Sequence, residues 1–202
     1  MARAWQDRMR FLKKQLCVDY IILFHNHGKF SGASISHPHS QIITTPVVPP
    51  DVSRSLAGAR RFFEEKKQCV HCVIVAEETR EQKRVIYKND RFLVFTPFAS
   101  RVNFEIRVIP LAHETHFENI APPDQSLFVE ALIKALAALH KKARNPSYNF
   151  FIHTTPPRDE SGIYHWHLEI LPKTTTWAGL ELGTGLEAIV VAPEEAAALL
   201  RK

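Results

Sequence analysis

The chain has 202 residues, 45% of them hydrophobic and 23% charged; this is enough apolar content to bury a core, as one domain or two small ones, and it excludes wholesale disorder. The formal net charge of +5 suits an anionic small molecule, but the basic residues are scattered and the densest group, Arg60-Arg61 with Lys66-Lys67, is broken by Glu64-Glu65, which argues against a nucleic-acid partner. No run approaches the roughly 18 apolar residues that span a membrane, the basic start from Met1 to Lys14 has no apolar signal core, and three cysteines, two of them in a C-x2-C, fit a reducing cytoplasm and a metal site better than a disulfide framework.

Trp5, Met9, Leu12 and Leu16 recur at helical spacing, so residues 3–16 read as an amphipathic helix ending near a buried Cys17. Residues 18–24 form an apolar run, a buried strand. A loop with two glycines, 26–34, leads to a second strand over 35–45, with Pro38 marking an edge or a bulge. A helix follows over 51–67. Then come Cys69-Val70-His71-Cys72, with His71 expected to be exposed, and strands at 84–89, 92–96 and 103–109. Pro122-Pro123 open a long helix to about residue 141, carrying Phe128, Leu132, Leu136 and Leu139 on one face. Strands are expected at 148–153, 163–171 and 187–191, and Pro193 starts a last helix.

An internal repeat organises these elements. Tyr20, His25, His37 and His39 have partners of the same type at Tyr148, His153, His165 and His167, each 128 positions later (148 − 20 = 128), and Gln41 matches Glu169. In each copy a helix precedes a strand, a loop and a strand carrying His-x-His. The second copy has three further strands and a C-x2-C before its helix; the first has none. The expected fold class is therefore α+β, an antiparallel sheet with helices. Residues 1–68 would be the C-terminal remnant of one unit and 69–202 a complete second unit with a C-terminal extension.

Side chains two apart on a strand share a face, so His37, His39 and Gln41 should project together, as should His165, His167 and Glu169. An imidazole nitrogen can attack phosphorus and form a phosphoramidate, which divides a transfer into two displacements. A neighbouring amide can donate a hydrogen bond to charge growing on the phosphoryl oxygens. Cys69 and Cys72 have zinc-knuckle spacing, and two histidines would complete a closed tetrahedral site.

Asn26-His27-Gly28-Lys29, Gly32-Ala33-Ser34 and His37-Pro38-His39-Ser40-Gln41 closely match a family signature. Pro97-Phe98-Ala99-Ser100-Arg101, Phe104-Glu105, Pro110 with His113, His165-Trp166-His167, Gly179 with Glu181 and Pro193-Glu194-Glu195 extend the match over nearly the whole chain. The sequence resembles the galactose-1-phosphate uridylyltransferases of the histidine-triad superfamily and the related ADP-glucose phosphorylases. The resemblance implies a histidine-triad-like fold and transfer of a nucleoside monophosphate between a UDP- or ADP-sugar and a hexose 1-phosphate. His39 would be the nucleophile and Gln41 would hold the covalent intermediate. Histidine-triad hydrolases carry a third histidine at the position of Gln41, and the glutamine goes with transfer to a second sugar phosphate. Ser34, with backbone amides at Gly32 and Ala33, would contact phosphate, and Asn26 would make a further polar contact. Glu181 would reach hexose hydroxyls across a homodimer interface, although Leu180 stands where an aromatic is common. Zinc would be held by Cys69, Cys72, His113 and His165, with His116 as a rival to His113. His37 matches a ligand of a further zinc site, but its upstream C-x2-C and histidine partners in the family have no counterpart in this sequence. That difference supports the alternative of an inactive, zinc-stabilised remnant that binds a nucleotide or a partner chain.

Overall fold

In the computed structural model, which describes residues 1–35, 37–176 and 178–201, seven antiparallel strands form one sheet in the order β2-β1-β6-β7-β5-β4-β3. The strands are β1 (Tyr20–His27), β2 (Ser40–Thr45), β3 (Val85–Lys88), β4 (Phe92–Phe95), β5 (Ile106–Pro110), β6 (Tyr148–His153) and β7 (His167–Pro172). The helices are α1 (Ala2–Lys13), α2 (Pro50–Lys66), α3 (Val70–Glu81), α4 (Asp124–Lys142), α5 (Gly179–Thr184) and α6 (Pro193–Arg201).

The sheet is covered differently on its two faces. Trp5 and Met9 of α1, Phe128, Leu132 and Leu139 of α4 and Leu200 of α6 pack on Leu23, Val94, Val108, Ile152, Leu168 and Ile170 in the main core. Trp166 sits at its centre, fully buried among Phe92, Phe117 and Phe128. The other face carries a smaller apolar cluster, where Val75 of α3 covers Val85, Leu93, Phe95 and Ile109. This is why all four residues of β4 are buried: alternate side chains enter opposite cores, as the two-residue period of a strand requires.

Strand pairing shows how the repeat is built. In β1–β2, Phe24 opposes Gln41, and in β6–β7, Phe151 opposes Glu169. The two hairpins meet where Phe24 opposes Phe151. A two-fold axis perpendicular to the sheet must preserve faces. It therefore relates β1 to β6 by 127 positions (151 − 24) and β2 to β7 by 128 (169 − 41). The uniform spacing of 128 is corrected on the first strand. It would carry Leu23, a core residue, onto Phe151, which faces the other way beside His153. His39 and Gln41 correspond to His167 and Glu169 as expected, but the counterpart of His153 is Asn26 (153 − 127), and the Tyr20/Tyr148 and His25/His153 identities are not structural equivalences.

Other expectations change locally. The second strand starts at Ser40 rather than at 35, and Ser36 lies outside the described residues. Residues 187–191 form no strand, because the N–H groups of Val190 and Val191 bond the Asn103 side-chain oxygen instead of a neighbouring strand. Cys17 is exposed, four positions beyond the end of α1. His71 is buried, because the first turn of α3 lies over the sheet and turns it inward against Tyr164 and His167.

Candidate functional site

The fold places Asn26 and Gln41 on the sheet face opposite the main core, next to the loop that joins β1 to β2. That loop tightens immediately after β1. Gly28 adopts φ +82° and ψ 163°, a region essentially restricted to glycine. A Cβ there would lie 2.3 Å from Ser147 Oγ, so glycine is also required by close approach. Ser31 donates its hydroxyl to the carbonyls of His27 and Gly28 at 2.7 and 2.8 Å. The N–H groups of Gly32 and Ala33 point inward to the carbonyls of Lys29 and Gly28. In this conformation the Gly32 and Ala33 N–H groups are engaged within the turn, and Ser34 beside them is exposed. Asn26, Gly28, Lys29, Ala33 and His37 are among the residues lining an open cleft of about 400 Å³.

His39 stands at the exit of this loop, half-buried and two positions before Gln41. Its Nδ1 lies 2.9 Å from the His37 carbonyl oxygen. A carbonyl only accepts, so Nδ1 carries the proton, and in the neutral ring the Nε2 lone pair is free. This is the tautomer that a nucleophile needs. His37 contributes that carbonyl and a wall of the cleft, and its ring belongs to no cluster with metal-ligand geometry among the described residues. The expected metal role of His37 thus has no geometric support, since thiol partners are not near it. Glu181 lies in α5, where its carboxylate accepts the Ala178 N–H at 2.9 Å; the contact expected of it crosses to a second chain.

The second copy repeats the arrangement in a closed form. His167 Nδ1 donates to the His165 carbonyl at 3.1 Å, as His39 does to His37. Glu169, in the place of Gln41, meets His153 Nε2 at 3.2 Å and pairs with the Arg107 guanidinium. Burial raises the Glu169 carboxyl, but Arg107 and the two imidazoles outweigh it and hold the group well below the usual carboxylate range. His167 is 2% exposed, roofed by His71 and Tyr164, and burial lowers it to about 4, with Arg107 adding to the shift. The two His-x-His segments therefore present one ring half-buried, just beyond the cleft-lining His37-Pro38 pair, and one sealed under a helix. The role of Arg107 was not visible in the sequence: an arginine on a buried strand gives no motif, and only the β5–β7 register puts it opposite Glu169.

Cys69, Cys72, His113 and His165 form a third constellation, with one ligand atom from each within 4.8 Å of all the others. Cys72 Sγ lies 3.3 Å from His113 Nδ1 and 3.6 Å from His165 Nδ1. A tetrahedral zinc with ligands at 2.0–2.3 Å has ligand–ligand edges of about 3.6 Å, close to the two Cys72 distances, so these residues suit a metal with small side-chain adjustments. His113 Nε2 donates to the Gly162 carbonyl at 2.8 Å, which leaves Nδ1 unprotonated toward the sulfurs, the usual outer support of a ligating imidazole. Burial and the adjacent Cys69 push the Cys72 thiol up to about 12, so a bound cation would be needed for its thiolate to form. His116 is outside this cluster and faces Glu118 at 3.8 Å. The ligands come from the start of α3, the loop after β5 and the residues before β7, so a metal would pin α3 over the sheet.

Comparison with known proteins agrees with this architecture. A family model described as the scavenger mRNA decapping enzyme C-terminal binding domain matches residues 68–181, and the N-terminal domain of a family of unknown function (DUF4931) matches residues 3–48. The ADP-glucose phosphorylase of Arabidopsis thaliana is 35% identical over 205 residues, which is 98% of this chain and 56% of the relative. The galactose-1-phosphate uridylyltransferase of Thermotoga maritima is 31% identical over 212 residues, 100% of this chain and 66% of the relative. The solved structure of the Arabidopsis phosphorylase with bound ADP-glucose superposes with a TM-score of 0.91 at 34% identity, covering 100% of this chain and 65% of that one. A uridylyltransferase structure gives 0.92 at 31% identity, covering 99% and 68%. The chain thus spans between 56% and 68% of these relatives, and it belongs to the galactose-1-phosphate uridylyltransferase family.

Proposed function

We propose that the chain is a nucleotidyltransferase that moves a nucleoside monophosphate between a UDP- or ADP-hexose and a hexose 1-phosphate through a nucleotidyl-His39 intermediate. The observation that carries this reading is the His39 ring, half-buried directly after the cleft-lining His37-Pro38 pair, with Nδ1 donating to the His37 carbonyl and Nε2 left free. Nε2 attacks the α-phosphorus of the nucleotide sugar. A P–N bond forms, and the bond to the bridging oxygen breaks. Hexose 1-phosphate departs with that electron pair and needs no proton to leave. The His37 carbonyl stabilises the charge that develops on the ring through Nδ1–H. Gln41 donates its amide to the non-bridging oxygens as their charge grows. The Ser34 hydroxyl and the Asn26 carboxamide orient the phosphates. In the second displacement the incoming hexose 1-phosphate attacks the same phosphorus and restores His39. Relatives that act on galactose 1-phosphate and on ADP-glucose support both donor types. The test is isotope exchange: labelled hexose 1-phosphate should enter unlabelled UDP- or ADP-hexose with no third substrate, and exchange that persists in His39→Ala would defeat the mechanism.

The sulfur and nitrogen donor set at Cys69, Cys72, His113 and His165 suits zinc over harder divalent ions. Its role would be structural, since all four positions are protein ligands. No helix among the described residues is long and apolar enough to cross a membrane; with reduced cysteines this supports a cytoplasmic enzyme. Edge strand β2, with Ile43 exposed on it, supports a homodimer, and light scattering across a wide concentration range should return twice the chain mass.

A further inference from the structure

Asn149 lies on β6, in the second unit, opposite Asn26 on β1 of the first. Its side-chain nitrogen Nδ2 makes two hydrogen bonds, donating to Asn26 Oδ1 at 2.7 Å and to the Ser31 backbone carbonyl at 2.9 Å. The chemistry fixes both amides. A backbone carbonyl can only accept, so the group facing Ser31 must be the Asn149 nitrogen and not its oxygen. The second hydrogen on that nitrogen then requires an acceptor, and this sets Asn26 with Oδ1 toward Asn149. The Asn26 NH2 is left on the side away from β6, and Asn26 lines the cleft beside His37.

The fold itself does not call for an amide at this position. Under the two-fold relation between β1 and β6, the counterpart of Asn149 is Ile22 (149 − 127), an aliphatic residue. The polar side chain appears only at the copy whose partner strand carries the open cleft. A neighbour acts on the same loop: Ser147 Oγ accepts the Phe30 N–H at 3.3 Å, and Gly28 packs against it. The start of β6 therefore holds both the turn after β1 and the amide at the end of β1.

We propose that Asn149 is a positioning residue, which locks the Asn26 carboxamide with its NH2 toward the cleft so that Asn26 donates to the phosphates of the nucleotide sugar. The donating role rests on the function proposed above; the lock itself does not. It explains how a strand of the second unit acts on a site built by the first. A side-chain amide free to flip would offer the anionic ligand its oxygen as often as its nitrogen.

Two measurements test this on the full chain. The first is the order parameter of the Asn26 side-chain amide by 15N relaxation, which needs no substrate. It should be near the rigid backbone value of about 0.85 in the wild type and fall below about 0.6 in Asn149→Ala. An Asn26 amide that stays rigid in Asn149→Ala overturns the proposal. The second is the rate of nucleotidyl adduct formation. Asn149→Asp keeps the side-chain shape but removes both donors, and it should slow the adduct by about 10-fold, with Asn149→Ala similar. Because Asn149 acts through Asn26, the double variant Asn26→Ala/Asn149→Ala should be no more than about 2-fold slower than Asn26→Ala alone. A full rate in Asn149→Asp, or losses that multiply in the double variant, also overturns it. If the wild type forms no adduct with UDP-glucose or ADP-glucose, the proposed function fails, and the relaxation measurement decides the lock on its own.

Discussion

Replacing Gly28 with Ala should disable the loop through a contact that can be separated from its backbone strain. Gly28 and Gly32 share a φ of +82°, but their surroundings differ. A Cβ at Gly32 meets nothing within 4 Å, and its ψ of 17° is left-handed helical, so Gly32→Ala should cost about 1 kcal/mol. At Gly28 the ψ of 163° lies in the glycine-only region, and the new Cβ would stand 2.3 Å from Ser147 Oγ, 3.0 Å from its Cβ and 3.2 Å from its Cα. Ser147 cannot easily retreat, since its carbonyl accepts the Lys173 N–H at 2.7 Å. The loop must move instead. Backbone strain and overlap together should cost about 3 kcal/mol or more. For a chain of this size 1 kcal/mol lowers the melting temperature by about 2–4 °C, so Gly28→Ala should melt about 6–12 °C low and Gly32→Ala about 2–4 °C low. Differential scanning calorimetry reads both. Ser147→Gly removes two of the three clashing atoms and should recover part of the Gly28→Ala deficit when combined with it. Glycine variants that melt within about 2 °C of each other, or a Ser147→Gly change that recovers nothing, would refute the clash assigned to Gly28.

The remaining predictions concern the second unit. Glu105 is fully buried, and burial together with the charge on Glu169 pushes its carboxyl up to about 7. A carboxyl raised in the folded state binds its proton more tightly there than in the unfolded chain. Its contribution to stability therefore falls as pH rises from about 4.5 to about 7 and is level above that, a swing on the order of 3 kcal/mol. Glu105→Gln should flatten that part of the stability–pH curve and be more stable than wild type at pH 8 by urea unfolding; an unchanged slope would show that Glu105 is not its source. Elemental analysis should find about one zinc per chain, and Cys72→Ala should abolish it and lower stability, because structural metal binding is coupled to folding. Zinc retained at full occupancy in that variant would mean that another site holds it.

The parts legible in the sequence were those whose signal is local. The His-Pro-His-Ser-Gln segment, the C-x2-C and the long amphipathic α4 announce themselves within a few residues. The helix α3 was hidden: it carries β-branched Val70, Val73, Ile74 and Val75, starts at Cys69 without a side-chain cap, and has apolar residues on most of its sides. The burial of His71 follows from that helix and leaves no local mark of its own. α5 is a six-residue turn with two glycines, below what periodicity can detect. The apolar stretch after Glu187 suggests a strand over 187–191, but Asn103 on a distant loop takes the N–H groups of Val190 and Val191. The repeat was found, yet its single offset was wrong on one strand, because identity of residue type does not reveal which face a side chain occupies. Arg107 and Asn149 act only through strand register, and no local pattern marks either of them.

The chemistry of the His39 ring can be read directly. Intact-mass spectrometry of the full chain after incubation with UDP-glucose or ADP-glucose should show one added nucleoside monophosphate, with hexose 1-phosphate released in equal amount. Peptide mapping should place the adduct on His39, labile in acid and stable in alkali as phosphoramidates are. His39→Ala should not acquire it, and Gln41→Ala should form it about 10²-fold more slowly. A chain that takes up no nucleotide from either donor, or one whose adduct sits on His167 beneath α3, would contradict the assignment of the open copy as the reacting one.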